Sequence, residues 1–255
     1  MAEKEVLEGD VLQFLNDWPE PVDGSVPLGG ALGRASSLVN QYFSLPNNSG
    51  GFTGSLFAEF AGGGDSADSW DRFESDDFVA VSLLSVRIPG QAAIEILDSR
   101  RREFNSLLSQ VPNDVALHDA SDSDFAEGSI AWELYERLRK VSGSGPVTAS
   151  KLLARKRPHL IPVSDQIVKS ALFPTAGRYW IPLRNELQMS GSPLLQGLRE
   201  IQEMSNPLAQ RTSLLRILDV LVWLRHRVPN NISKPDYWLG FKPNRHHSSN
   251  VTLLP

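Results

Sequence analysis

The chain has 255 residues, 41% of them hydrophobic and 22% charged, with a formal net charge of −5 and no cysteine. This is enough chain for a buried core, and zero cysteines exclude disulfides, thiolate zinc sites and iron–sulfur clusters. No apolar run reaches the ~18 residues of a membrane span, and MAEKEVLEGDVLQFL lacks the basic start of a signal peptide, so a cytoplasmic protein without membrane contact is expected.

Residues 1–18 have the spacing of a short amphipathic helix that stops at the Pro-rich PEPVDGSVPLGG. ALGRASSLVNQYF (31–43) predicts a second helix. Residues 44–70 are punctuated by Gly, Asn and Ser and read as loop with one short helix, FTGSLFAEF. The GGG at 62–64 lacks a strand–GxGxxG–helix context, so it is not a nucleotide fingerprint. SDDFVAVSLLSV begins at residue 75 with a Ser/Asp cap and continues apolar, as a buried helix does. After Pro89 the apolar residues Ile94, Leu97, Leu107 and Leu108 keep helical spacing, and PNDVALHDASDSDF (112–125) is an acidic loop. In residues 128–141, Ile130, Leu134 and Leu138 share a face, while Arg137, Arg139 and Lys140 suit the C-terminal end of the helix dipole. Helices are further predicted over 146–156, 165–172, 182–204 and 207–228. The tail from Pro229 reads as irregular. Its His246 and His247 have no partners at ligand spacing, and no metal or other cofactor is expected. Period-2 strands and internal repeats are absent, so the fold class is all-α.

Charge is unevenly placed. Residues 1–78 hold three Lys/Arg against fourteen Asp/Glu, whereas residues 137–169 hold eight Lys/Arg against Asp165 alone. A basic segment in an acidic chain steers a polyanion locally, although a solvated helix face has the same composition. At the centre of that segment stands GSGPVTASKLLARKRPHLIPVSD (143–165). Gly143 and Gly145 permit positive φ and close backbone approach. Pro146 suits the first turn of the helix that follows. The first-turn amides of such a helix point outward and favour an anion, so the unit can hold a backbone phosphate without reading sequence. Arg155, Lys156 and Arg157 follow and add positive charge. A plain turn between two helices is the competing reading.

GSGPVTA resembles the hairpin of the helix-hairpin-helix DNA glycosylase superfamily, roughly G-(apolar)-G-x-x-T-A. Asp165 is the 23rd residue counted from Gly143 and is followed by QIVKSAL, similar to the spacing of that family's essential aspartate before an apolar helix. DDFVAVSLLSVRIPGQAA (76–93) is similar to its L-L-S-x-Q segment, whose glutamine fills the gap left by a flipped base; Arg87 takes that position here. The matches span residues 76–170. The resemblance implies a two-lobed helical fold: residues 1–74 complete one lobe, 75–174 form the helix-hairpin-helix core, and 175–255 pack with the N-terminal lobe. It implies binding of double-stranded DNA through Gly143, Ser144, Gly145, Val147, Thr148, Lys151 and Arg87, with Asp165 as the catalytic group; a monomer is expected, although the sequence does not fix the oligomeric state. Ser144 departs from the apolar residue between the family's glycines. Val147 stands where lyase-competent members carry lysine, so the implied enzyme is monofunctional; Lys151, one helical turn later, is the remaining amine.

Breaking an N-glycosidic bond develops positive charge on the sugar, which a carboxylate can stabilise while it orients or deprotonates water. The base must leave the stack and needs walls, for which Trp132, Tyr135, Tyr179 and Trp180 are the candidates, each of which also suits the core. The sequence does not name the base. Repair of damage and excision of a hypermodified phage base, such as glucosylated hydroxymethylcytosine, both stay open. So do two readings without catalysis: a helix-hairpin-helix DNA-binding protein in which Asp165 only caps the next helix, and a helical scaffold.

Overall fold

The computed structural model describes residues 30–44, 52–164, 166–172 and 180–227. The expected helix over 1–18, the tail from Pro229, Asp165 and Tyr179 lie outside them. Every regular element among the described residues is helical, so the protein is all-α there. No helix among them is long and apolar enough to cross a membrane.

Among the described residues twelve α-helices run in order: α1 Gly30–Tyr42, α2 Ser75–Ser82, α3 Gly90–Ile94, α4 Arg101–Leu108, α5 Asp122–Phe125, α6 Ile130–Lys140, α7 Gly145–Lys156, α8 Gln166–Leu172, α9 Trp180–Gln188, α10 Pro193–Glu203, α11 Pro207–Gln210 and α12 Leu214–Arg227. Helix α7 packs against α6 and α2, and α6 also packs against α4 and α5. Helix α1 packs against α10 and α12, and α12 packs against α8. One apolar cluster runs through both groups, from Val39 and Phe43 through Phe104, Leu134, Leu138 and Leu152 to Leu198 and Ile217. The expected face of α6 holds in part: Leu134 and Leu138 are fully buried, while Ile130 is half-buried.

Several boundaries differ from the sequence pattern, each for a local reason. The single helix expected over 52–60 is two 3-10 turns, Thr53–Leu56 and Phe60–Gly62. Helix α2 is headed by Glu74, whose N–H donates to the Asp77 carboxylate at 2.9 Å, rather than by Ser75. It ends at Ser82 because Ser85 takes φ +60° and turns the chain. The run after Pro89 is broken by a π-turn, Glu95–Ser99, and by Arg100 at φ −117°, ψ 19°. The expected loop at 112–125 closes with α5, which has a Ser121/Asp124 capping box. The stretch 182–204 divides at Gly191, φ +68°, where Ser192 caps α10 and Pro193 starts it. The stretch 207–228 divides where Ser213 Oγ accepts the Arg216 N–H at 3.2 Å.

Arg100 is held across the break by Glu95 at 2.6 Å and Glu103 at 2.7 Å, and Glu103 also receives Arg137 of α6 at 2.6 Å. Hydrogen bonds from Arg100, then from Arg137, lower the Glu103 carboxyl from 4.5 to about 2. A carboxyl depressed in the fold contributes stability above its unfolded value of 4.5 and loses it as pH falls through 2. These side chains are about one-third exposed, so screening reduces the contribution to roughly 1 kcal/mol. Glu103→Gln is therefore expected to be less stable near neutrality and to show a shallower decline between pH 4.5 and 2 in urea titrations. Parallel pH curves for the two proteins would assign the contribution elsewhere.

Candidate nucleic-acid interface

Helices α6 and α7 are joined by a four-residue hairpin. Val141 leaves α6 in an extended conformation and its carbonyl accepts the Ser144 N–H at 3.0 Å, closing the turn. Gly143 has φ +80° and Gly145 φ +67°, both in the left-handed region that favours glycine. The two differ in their surroundings. A Cβ on Gly143 would sit 2.6 Å from Pro89 Cγ, whereas a Cβ on Gly145 would meet nothing within 4 Å. The first glycine is a packing contact and the second faces open space. Pro146 begins α7, whose first-turn amides have no partner within the helix.

The Pro89 contact draws the link between α2 and α3 onto the hairpin. The same link is fixed at its other end, where Lys151 Nζ donates to the Leu84 carbonyl at 3.2 Å and Thr53 Oγ1 to the Leu83 carbonyl at 3.0 Å. Arg87 lies on this link, exposed. Two segments more than fifty residues apart in sequence thus meet at the hairpin; Arg87 on the first is exposed, as is Val147 on the second.

The other expected DNA-contacting residues are placed differently. Thr148 and Lys151 are 4% exposed and Ser144 6%, so their side chains face the interior. Ser144 Oγ is buried without a hydrogen-bond partner, consistent with a position that suits an apolar residue. Lys151 positions the Arg87 link and does not reach solvent.

The basic run is the largest correction. Arg155, Lys156 and Arg157, expected to add positive charge beside the hairpin, are 2%, 0% and 1% exposed. Their charges are spent on the protein's own carbonyls. Arg155 donates to Phe57, Ala58 and Phe60, and Lys156 to Ser69 at 3.1 Å. Arg157 donates to Val111, Trp70 and Leu108, and its guanidinium lies 5.5 Å from the Trp70 ring centroid. Asp77 meets Lys156 at 2.7 Å and Arg155 at 3.5 Å. Burial pushes the Asp77 carboxyl up and the Lys156 ammonium down, the loss of water outweighing their attraction. Burial likewise lowers Arg157, to about 10. Gly64 makes this possible, since a Cβ there would lie 2.5 Å from the Arg155 carbonyl oxygen. Of the remaining basic residues in the segment, Arg137 and Arg139 pair with Glu133 and Glu136 on their own helix. The positive balance of residues 137–169 is therefore largely internal.

Three of the four expected pocket aromatics come together. Trp132 and Tyr135 on α6 lie 5.2 Å apart, and Trp180 at the start of α9 lies 6.2 Å and 5.4 Å from them. Trp180 is buried and the other two are half-buried. They sit 8 and 11 positions before Gly143, about 12–16 Å along the axis of α6 from the hairpin.

The sequence reading missed Asp77, seen only as a helix-start residue. It also missed Arg216, which binds Tyr42 Oη at 2.6 Å, the Gly54 carbonyl at 3.0 Å and the Asp219 carboxylate. In sequence Arg216 was one more polar residue in an amphipathic run, although the i, i+3 spacing to Asp219 was a usable signal.

Among the described residues these features define an all-helical protein with a glycine hairpin and an internal basic cluster. A family model, described as a family of unknown function (DUF6308), matches residues 35–226, and the chain belongs to that family. No curated protein and no solved structure matches the chain.

Proposed function

We propose that the protein is a monofunctional DNA glycosylase of helix-hairpin-helix type, two-lobed in fold, that flips a damaged or modified base out of double-stranded DNA and hydrolyses its N-glycosidic bond. One observation carries the reading: the glycine hairpin and the Arg87 link, matched separately to that superfamily in sequence, pack against each other through Pro89 and Gly143. In this reading the amides of the hairpin and of the first turn of α7 take a backbone phosphate, and Arg87 enters the gap left by the base. Asp165 follows Ser164, whose N–H is tied to Ser150 Oγ of α7 at 2.8 Å, and precedes α8. Its carboxylate stabilises the oxocarbenium-like sugar, water adds to the anomeric carbon, and the base leaves with the electrons of the broken bond and gains a proton. The exposed Val147, in place of an amine, supports hydrolysis without strand cleavage. Trp132, Tyr135 and Trp180 are the aromatic surface nearest to a wall for the extruded base. Support from charge is reduced by the burial of residues 155–157, so the reading rests on the hairpin.

The hairpin is tested by two substitutions at Gly145, where there is room and where Asn and Asp both tolerate positive φ. Gly145→Asn is expected to keep most duplex affinity, while Gly145→Asp, which sets a carboxylate against the phosphate, lowers it about tenfold or more at low salt. Equal binding by both variants removes the phosphate role. Incubation of the wild-type protein with normal and hypermodified genomic DNA, followed by detection of abasic sites and of the released base, tests the chemistry. Duplex binding with no base released from any source leaves a DNA-binding protein without catalysis.

A further inference from the structure

We propose that Thr53, Ser85 and Lys151 are positioning residues that set Arg87 for the reaction proposed above, a role that rests on that reading. Beyond the end of α2 the chain turns at Ser85, an exposed serine with φ +60°. A residue other than glycine in the left-handed region is strained, and such a conformation persists only where its surroundings fix it. Two side chains from distant elements do so here. Thr53 Oγ1 donates to the Leu83 carbonyl at 3.0 Å, and Lys151 Nζ donates to the Leu84 carbonyl at 3.2 Å. The N–H groups of the turn are used locally, that of Leu84 on the Val81 carbonyl at 3.1 Å and that of Ser85 on the Ser82 carbonyl at 3.0 Å. Arg87 follows two residues later, and Pro89 then closes against Gly143. The backbone of Arg87 is thus held on one side by the strained turn and on the other by the hairpin.

Both anchors are themselves fixed. Thr53 is followed by Gly54, where a Cβ would lie 2.3 Å from Tyr42 Oη and 3.0 Å from Leu84 Cδ2, so the backbone there is pressed against α1 and the end of α2. The Gly54 carbonyl accepts from Arg216 Nη2 of α12 at 3.0 Å, and the same nitrogen reaches Tyr42 Oη at 2.6 Å. Lys151 is 4% exposed in the middle of α7, the helix that the hairpin starts. Through Thr53 the link is tied to α1 and α12, and through Lys151 to the helix proposed to grip the phosphate. An arginine side chain loses much rotamer freedom when it enters a gap in the base stack. A backbone already set in place reduces what remains to be ordered.

A duplex carrying a tetrahydrofuran analogue of an abasic site tests this without knowledge of the excised base, because its gap is already open. The ratio of its affinity to that of the intact duplex reports the group that fills the gap, whereas the phosphate grip enters both affinities alike. The wild-type protein is expected to prefer the analogue about tenfold, and Arg87→Ala to lose that preference. Thr53→Val and Lys151→Met each remove one tie. Both are expected to lower the ratio about threefold or more, with affinity for the intact duplex changed less than about twofold. Thr53→Ser, which keeps the hydroxyl, retains the wild-type ratio. Ser85→Gly also keeps it, while Ser85→Val, which resists positive φ, lowers it. In the Arg87→Ala background, Lys151→Met has no further effect on the ratio. If the wild-type preference is lost in Arg87→Ala, yet Thr53→Val and Lys151→Met leave the ratio unchanged or lower both affinities alike, the positioning role is overturned and base flipping stands. A wild-type protein that binds the two duplexes equally overturns base flipping and the positioning role together.

Discussion

Asp77→Ala is expected to destabilise the protein by about 3–5 kcal/mol, because it removes the carboxylate that meets the buried Arg155 and Lys156. Asp77 is 2% exposed, and neither Arg155 nor Lys156 can turn to water without dismantling α7 and the segments that clamp it. A loss of this size is a large fraction of the typical 5–15 kcal/mol that holds a domain together. Asp77 also caps α2, so part of the effect belongs to the lost bond to Glu74. A cycle with Lys156→Met separates the two. If charge compensation dominates, the double variant Asp77→Ala/Lys156→Met is more stable than the sum of the single losses implies. Urea denaturation reads all four proteins, and a loss below about 1 kcal/mol in Asp77→Ala would remove the ion cluster from the account of stability.

On the glycosylase function proposed above, Asp165→Asn is expected to lower single-turnover base release by at least three orders of magnitude, about 4 kcal/mol of transition-state stabilisation, with duplex affinity changed less than threefold. The amide keeps the shape of the carboxylate, yet carries no charge for the oxocarbenium-like sugar of the proposed reaction. A role confined to capping predicts the reverse: Asn is as good a cap as Asp, so neither rate nor stability would move. The measurement is abasic-site formation on normal and hypermodified genomic DNA by each protein, alongside a melting curve for each. Full base release by the variant would assign the chemistry to another residue.

Helix content was legible because residues such as Ile130, Leu134 and Leu138 recur at helical spacing, and Leu134 and Leu138 are fully buried. The breaks were legible in principle but outweighed by that periodicity. Ser192–Pro193 and Asn206–Pro207 are cap-and-start pairs, and their side chains accept the N–H of Leu195 and of Leu208 and Ala209. The hairpin could be read from Gly143, Gly145 and Pro146 because positive φ and a missing N–H are properties of single residues. The fate of Arg155–Lys156–Arg157 could not. A cation's burial is decided by carbonyl acceptors at residues 57–70 and 108–111, and every residue type supplies a carbonyl, so no pattern marks the partner. The same limit applies to Lys151 and the Leu84 carbonyl.

That clamp also orders events in time. The carbonyls taken by Arg155 lie 95–98 residues before it, and the carbonyl taken by Lys156 lies 87 before. Between residues 52 and 73 the chain has only two 3-10 turns of its own, too little to nucleate structure locally. During synthesis this stretch emerges roughly a hundred residues ahead of the side chains that organise it, some 5–20 s at common elongation rates. It closes over the core only once α7 is in place, as a late, long-range step whose loop-closure cost is met after the helices have paired.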